Sequence, residues 1–214
     1  MSESDSNRLP TNITSFRFIR TKPGDIFSDT DCDALISECG ETLKEVYLQR
    51  CKELSDRSLQ NLESLALEVI DLSSCNNFST DSFNSFLTSQ LHSLKEVRLR
   101  KCEFVTEESI LHLIASSSLV SLIDVSFCEN IYLESLVQKL LQLELHRSVH
   151  NQLTIITLSF DEYTAAVETT TITPVLKLAL DTLAKQGITI TQNLYKLCSE
   201  KDNIVSYEES NSYY

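Results

Sequence analysis

The sequence contains little glycine or proline, with 3 of each among 214 residues, and it has no tryptophan. So few glycines leave no glycine-rich loop of the kind that cradles phosphates in P-loop or dinucleotide-binding enzymes. Apolar runs long enough to cross a bilayer are also missing, so we expect no membrane partner. Lysine and arginine number 18 against 31 acidic residues, for a formal net charge of −13. Because such a chain repels the phosphate backbone, we expect no nucleic-acid partner.

Seven cysteines are present, but no two of them form a Cys-x-x-Cys pair. Their odd number and the polar, acidic start MSESDSNRLP predict reduced thiols and a cytoplasmic or nuclear location. Their spacings fit no zinc site, so we expect neither a metal nor any other cofactor.

Four of the cysteines recur at intervals of 24 to 27 residues, which is a period typical of a solenoid. Each ends a copy of the pattern L-x-x-V-x-L-x-x-C, in which Leu, Ile and Val exchange at the apolar positions. The first copy contains Leu43, Val46, Leu48 and Cys51. The other copies end at Cys75, Cys102 and Cys128.

Each part of this pattern has a physical role. Apolar residues two apart predict a short strand with one buried face. The cysteine is a small apolar side chain that can fill the turn after the strand. In the first three copies a Ser/Thr-acid stretch follows and predicts the start of a helix. One such unit cannot bury its own apolar face, whereas stacked units can.

Weaker units flank the four copies. Upstream, residues 13–18 fit the strand positions, but Thr21 replaces the cysteine. Downstream, Leu153, Ile156 and Leu158 predict a last strand, and a helix over 175–186 with Gly187 at its end predicts a cap. We therefore predict a disordered N-terminus over 1–12, a repeat domain with its cap over 13–190, and a C-terminal segment with an acidic tail over 191–214.

The pattern resembles the cysteine-containing leucine-rich repeat, known from the substrate-binding part of F-box proteins and from relatives of the antagonist-of-mitotic-exit-network protein. The resemblance implies an α/β solenoid, with a curved parallel sheet on the concave side and helices on the convex side. It also implies a non-enzymatic scaffold that binds a protein on its concave face. That partner would be a ubiquitin-ligase component or a substrate, in ubiquitin-dependent or cell-cycle regulation. The outer units depart from the family because they lack the cysteine. With both ends capped, we expect a monomer.

Residues between the apolar strand positions are predicted to face outward, and these form the candidate partner-binding surface. Mixed charges and an exposed tyrosine favour protein binding, because tyrosine and arginine often anchor interfaces. Arg98, Arg100 and Lys101 form a basic spot in an acidic chain. The alternative is that these polar side chains only keep the surface hydrated. The predicted partner-binding residues are Arg17, Tyr47, Asp71, Arg98, Arg100 and Asp124, and Thr157 takes the equivalent position in the last strand.

Two other functions remain open. Short proteins of this repeat type also serve as assembly factors for multiprotein complexes, including mitochondrial ones. An enzyme would depend on the pair His146 and His150, whose spacing could place two ligands on one helix face. Because Arg147 stands where a metalloprotease helix has glutamate, we expect no metal site and no catalysis.

Overall fold

In a computed structural model, the protein is described over residues 13–143, 156–160, 174–185 and 187–192. Seven strands and six helices alternate in these ranges, and the strands form one parallel sheet in sequence order. The predicted disordered segment 1–12 and the acidic tail after residue 192 lie outside these ranges. The elements are β1 Ser15–Ile19, α1 Asp29–Cys39, β2 Glu45–Gln49, α2 Asp56–Leu62, β3 Val69–Asp71, α3 Thr80–Ser89, β4 Glu96–Arg98, α4 Glu107–Ser116, β5 Leu122–Asp124, α5 Leu133–Gln142, β6 Ile156–Phe160, α6 Pro174–Lys185 and β7 Ile188–Gln192.

The strand register places equivalent positions of the repeat side by side. Val46 pairs with Ile70, Ile70 with Val97, and Val97 with Ile123. These residues lie in one buried core with the apolar residues of the helices, and each helix packs beside the next. The architecture is an α/β parallel sheet with alternating helices, and it is compatible with a leucine-rich repeat solenoid. In the part of the chain that the structure describes, no helix is long and apolar enough to cross a membrane.

The register of β6 differs from the prediction by two residues. Leu158, rather than Ile156, pairs with Ile123, and Ser159, rather than Thr157, pairs with Asp124. A shift of two residues keeps the same side chains on the same face, so an alternating apolar pattern cannot detect it. The prediction also missed β7, which pairs with β6 along five residues. The cap helix was predicted correctly, and Gly187 after it has a left-handed φ of 84°, which glycine adopts without strain.

Polar residues at the predicted positions start the middle helices. Ser55, Ser79 and Thr106 are the N-cap residues of α2, α3 and α4, and each side chain accepts a hydrogen bond from a backbone N–H of its helix. This satisfies a donor that has no partner inside the helix. The Ser/Thr-acid signal was therefore interpreted correctly.

The acid in this signal has a second role, because it joins one repeat to the next. The carboxylate of Asp29 accepts hydrogen bonds from the backbone N–H and hydroxyl of Ser55, at 2.8 and 2.5 Å. Asp56 binds Ser79 in the same way, at 2.7 and 2.6 Å. Burial opposes the charge of Asp29, but the hydrogen bonds from Ser55 and Ser58 outweigh it and lower its pKa. The acid thus holds the start of the following helix.

The four repeat cysteines are buried, and three of them contact the backbone of the preceding repeat. The thiols of Cys75, Cys102 and Cys128 donate to the carbonyls of Leu48, Leu72 and Leu99, at 3.1, 3.2 and 2.9 Å. Cys75 Sγ also accepts the backbone N–H of Cys51 at 3.3 Å. The prediction that each cysteine fills the turn after its strand is confirmed by its burial there.

The residue before each repeat cysteine has left-handed backbone geometry. Arg50, Ser74, Lys101 and Phe127 have φ values between 56° and 63°. The turn that brings each cysteine inward thus requires a conformation that costs a non-glycine residue roughly 1–2 kcal/mol. None of the four is glycine or asparagine, so their residue types did not indicate this geometry.

Substitutions at Arg50 test this strain. Arg50→Gly should leave the free energy of unfolding unchanged or raise it by up to about 1 kcal/mol, because relief of strain competes with greater freedom of the unfolded chain. Arg50→Val should lower it by about 1 kcal/mol or more, since β-branched residues tolerate this region poorly. Urea unfolding measures both changes. Lys52→Gly, two residues away and outside this conformation, is the control and should be destabilising; an equal response at both positions would contradict the assignment.

Buried thiols should be protected from reagents. The six cysteines in the described ranges are all buried, and burial raises the pKa of Cys32 to about 11. In a Cys198→Ser variant, Ellman's reagent at about pH 8 should react only as fast as the protein unfolds, since the thiolate is the nucleophile. All six should react promptly in denaturant. Prompt labelling of any thiol in the native protein would contradict this prediction.

Candidate functional site

The outer face of the sheet is the side that faces away from the described helices. Its side chains belong to alternate strand positions, which leave the inward positions to the core. The strand register arranges them in rows that cross the strands. The first row is Ser15, Glu45, Val69, Glu96 and Leu122; the second is Arg17, Tyr47, Asp71, Arg98 and Asp124; the third begins with Ile19 and Gln49 and continues just beyond the shorter strands with Ser73, Arg100 and Ser126.

Tyr47 lies at the centre of an arginine cluster. The guanidinium of Arg17 is 4.3 Å from the centroid of its ring, and that of Arg98 is 5.7 Å away. Both distances fall in the range of cation–π attraction. The prediction that Tyr47 is exposed is wrong, because only 9% of it is accessible. Burial raises the pKa of Tyr47, and the nearby Glu45 carboxylate adds to the effect.

Two glutamates of the first row fix the polar ends of this cluster. The Tyr47 hydroxyl donates to Glu45 at 3.4 Å, and the Arg98 guanidinium pairs with Glu96 at 3.0 Å. Arg98 is thereby oriented across the sheet. Arg17, in contrast, is exposed and forms no ion pair with any residue in the described ranges.

Asp71 and Asp124 occupy the predicted row, but their side chains are buried, at 2% and 7% exposure. Asp71 accepts hydrogen bonds from the Gln49 amide at 2.6 Å and from the Ser73 N–H at 3.0 Å. Asp124 accepts from the N–H and hydroxyl of Ser126, at 3.0 and 2.6 Å. Both carboxylates therefore hold residues of the third row in place through hydrogen bonds. The prediction that Asp71 and Asp124 are exposed to a partner is wrong.

A second cation–aromatic cluster follows the fourth and fifth strands. Arg100 and Lys101 lie 5.4 and 5.3 Å from the centroid of the Phe127 ring. Phe127 is half-buried and precedes Cys128. The prediction included Arg100 and Lys101 but missed Phe127. The only available signal was its position before a repeat cysteine.

The structure brings together three of the six predicted residues. Arg17, Tyr47 and Arg98 are in contact, while Arg100 stands apart with Phe127. The side chains of Thr157 and Ser159 lie outside the described part, as do His146 and His150. Among the residues that are described, no group of three His, Cys, Asp or Glu side chains could hold a metal ion.

Comparison with known proteins gives only distant likenesses, and these are to solved structures. No family model and no curated protein matches the sequence. A chain in the crystal structure of the Rad7 and Elc1 complex in yeast is similar, with 18% identity and a TM-score of 0.47. The match covers 80% of this chain but only 46% of that one. The case for a repeat architecture therefore depends on the register and contacts described above.

Asp124 gives a test of the buried carboxylates. Burial raises its pKa, although hydrogen bonds from Ser126 and the charge of Arg100 oppose this. A carboxyl whose pKa is higher in the folded than in the unfolded protein stabilises the fold only while it is protonated. This stabilisation is lost as the pH rises through the pKa of the folded protein. Asp124→Asn keeps an acceptor for Ser126 and should therefore raise the urea midpoint near neutral pH.

The gain should shrink as the pH falls through the raised folded-state pKa of Asp124, and it should be lost below about pH 4, where the wild-type carboxyl is neutral in both the folded and the unfolded chain. Asp181→Asn, on the exposed side of α6, is the matched control and should leave the midpoint almost unchanged. A lower midpoint for Asp124→Asn at neutral pH would show that the buried charge stabilises the fold.

Proposed function

We propose that this protein is a non-enzymatic scaffold that recognises a protein partner on the outer face of its sheet. The observation that carries the proposal is the cluster of Arg17, Tyr47 and Arg98. It joins an aromatic ring and two guanidinium groups on a side of the sheet that none of the described helices covers. Tyrosine and arginine supply much of the binding energy in protein interfaces. A ring that is already stacked also needs little ordering when a partner binds.

A more specific proposal follows from the resemblance of the repeats to the cysteine-containing leucine-rich repeat. The sheet would form the concave side of a curved leucine-rich repeat solenoid, and the protein would act as a monomer in the cytoplasm or nucleus. There it would serve as a substrate-recognition or partner-recognition subunit in ubiquitin-dependent or cell-cycle regulation. The cysteine-containing repeats support this proposal. An assembly factor for a multiprotein complex would use the same face, so the identity of the captured partner separates the two functions.

Affinity capture from cells tests the proposal. Tyr47→Ala combined with Arg98→Ala should reduce recovery of the specific partner by about tenfold or more, because each side chain is of a type that forms interface hot spots. Arg17→Ala should weaken capture less, since its side chain is exposed and more easily replaced by water. Thermal unfolding confirms that each variant is folded, and quantitative mass spectrometry measures recovery.

The control is Lys177→Ala combined with Lys185→Ala. Both lysines are exposed on α6, outside the sheet, and their removal should not change recovery. Equal recovery of the partner by the wild type and by the Tyr47/Arg98 variant would contradict the proposal. Capture that fails in the α6 variant instead would assign binding to the helical side.

A further inference from the structure

Charge is unevenly distributed along the strands of the outer face. The acidic residues Glu45 and Glu96 stand near the beginning of β2 and β4, where Tyr47 and Arg98 engage them. The cations lie closer to the ends of the strands or just after them. We define the basic patch as Arg17, Arg50 and Lys101, all of which are exposed. The two ends of the outer face therefore differ in sign.

The basic patch has no acidic partner, in contrast to some of the cations of the described chain. Arg57, Lys95 and Lys139 form ion pairs with Asp33, Glu68 and Glu107, respectively. Arg17, Arg50 and Lys101 form none within the described ranges, although the whole sequence has 31 acidic residues. The exposed Lys177 and Lys185 of α6 form none there either, so the basic patch is distinguished by its position. Three exposed cations along the outer face favour an anionic ligand.

The backbone holds two of these cations at equivalent places. The N–H of Arg50 donates to the Ser73 carbonyl, and the N–H of Lys101 donates to the Ser126 carbonyl, so the turns after the strands stay aligned. Ser74, a small neutral residue, occupies the equivalent turn between them. Neighbouring strands lie about 4.8 Å apart, so β1 to β4 span roughly 14 Å. An extended peptide of four or five residues covers that distance, at about 3.3 Å per residue.

We propose that the partner segment bound at this face is acidic: a short extended stretch rich in Asp and Glu that crosses β1 to β4 over the basic patch. This inference rests on the proposed function and specifies its ligand. The local charge attracts carboxylates, whereas the overall charge of −13 opposes a long polyanion such as a nucleic acid. Phe127, stacked with Arg100 and Lys101, borders the same path. The carboxylates would pair with the exposed cations and leave Tyr47 and Arg98 to contact the rest of the partner.

Fluorescence anisotropy with the whole chain tests this inference. The probe is a labelled peptide of about twelve residues in which Glu alternates with Ser or Gly. It should bind saturably at low salt and weaken as salt rises, because charge attraction is screened. Arg50→Glu combined with Lys101→Glu should reduce its affinity by about tenfold or more. Arg17→Gln should reduce it to a smaller extent.

The matched control is Lys177→Glu combined with Lys185→Glu, which changes the net charge equally but lies on α6. It should change affinity by no more than about twofold, since remote exposed charges are screened. Absence of saturable binding, or equal losses in the two double variants, would overturn the inference. Tighter binding of a phosphoserine version of the peptide, or of a single-stranded oligonucleotide of equal charge, would overturn the assignment of the ligand to carboxylates.

The two proposals can fail separately. If capture of the partner depends on Tyr47 and Arg98 but the Glu peptide does not bind, the scaffold function stands and the acidic ligand is wrong. If capture is independent of the outer face, the proposed function itself is wrong, whatever the peptide does.

Discussion

The contact between a buried thiol and the carbonyl of the preceding repeat is the interaction on which the described architecture depends. Backbone carbonyls at the end of each short strand need a partner once they are buried. Cys75, Cys102 and Cys128 provide it with a side chain small enough to fit between adjacent turns. A thiol is a weak donor but costs little to bury, which suits a position that is both apolar and in contact with a carbonyl. Regular stacking follows, because each cysteine contacts the repeat before it.

The same turn links the core to the surface. For the cysteine to point inward, the residue before it takes left-handed geometry, and that residue then stands at the edge of the outer face. This requirement determines the positions of Arg50, Lys101 and Phe127. The packing of the core thus determines where these side chains lie. The left-handed geometry also limits which residue types fit there, because β-branched residues tolerate it poorly.

The sequence predicted the parts of the structure that repeat. The strands, the buried cysteines and the helix starts at Ser55, Ser79 and Thr106 all follow from spacing and side-chain chemistry. The register of β6 could not be predicted, because a two-residue shift preserves the alternation of apolar side chains. Nor could the burial of Tyr47, Asp71 and Asp124, since alternation indicates which way a side chain points but not what covers it. Tyr47 and Asp71 contact neighbours across the sheet that are more than twenty positions away in the chain, whereas Asp124 is bonded to Ser126 close by.

The net charge of the protein does not indicate the electrostatic potential that a ligand meets at the outer face. A value of −13 predicts repulsion of polyanions at long range, where the charges of the chain act together. Within about 10 Å, roughly the screening length at physiological salt, a ligand responds mainly to nearby groups. At the outer face, Asp71 and Asp124 are buried under hydrogen bonds, and Glu45 and Glu96 are engaged by Tyr47 and Arg98. The exposed arginines and Lys101 therefore determine the local potential, so an acidic protein can present a cationic surface to a short anionic segment.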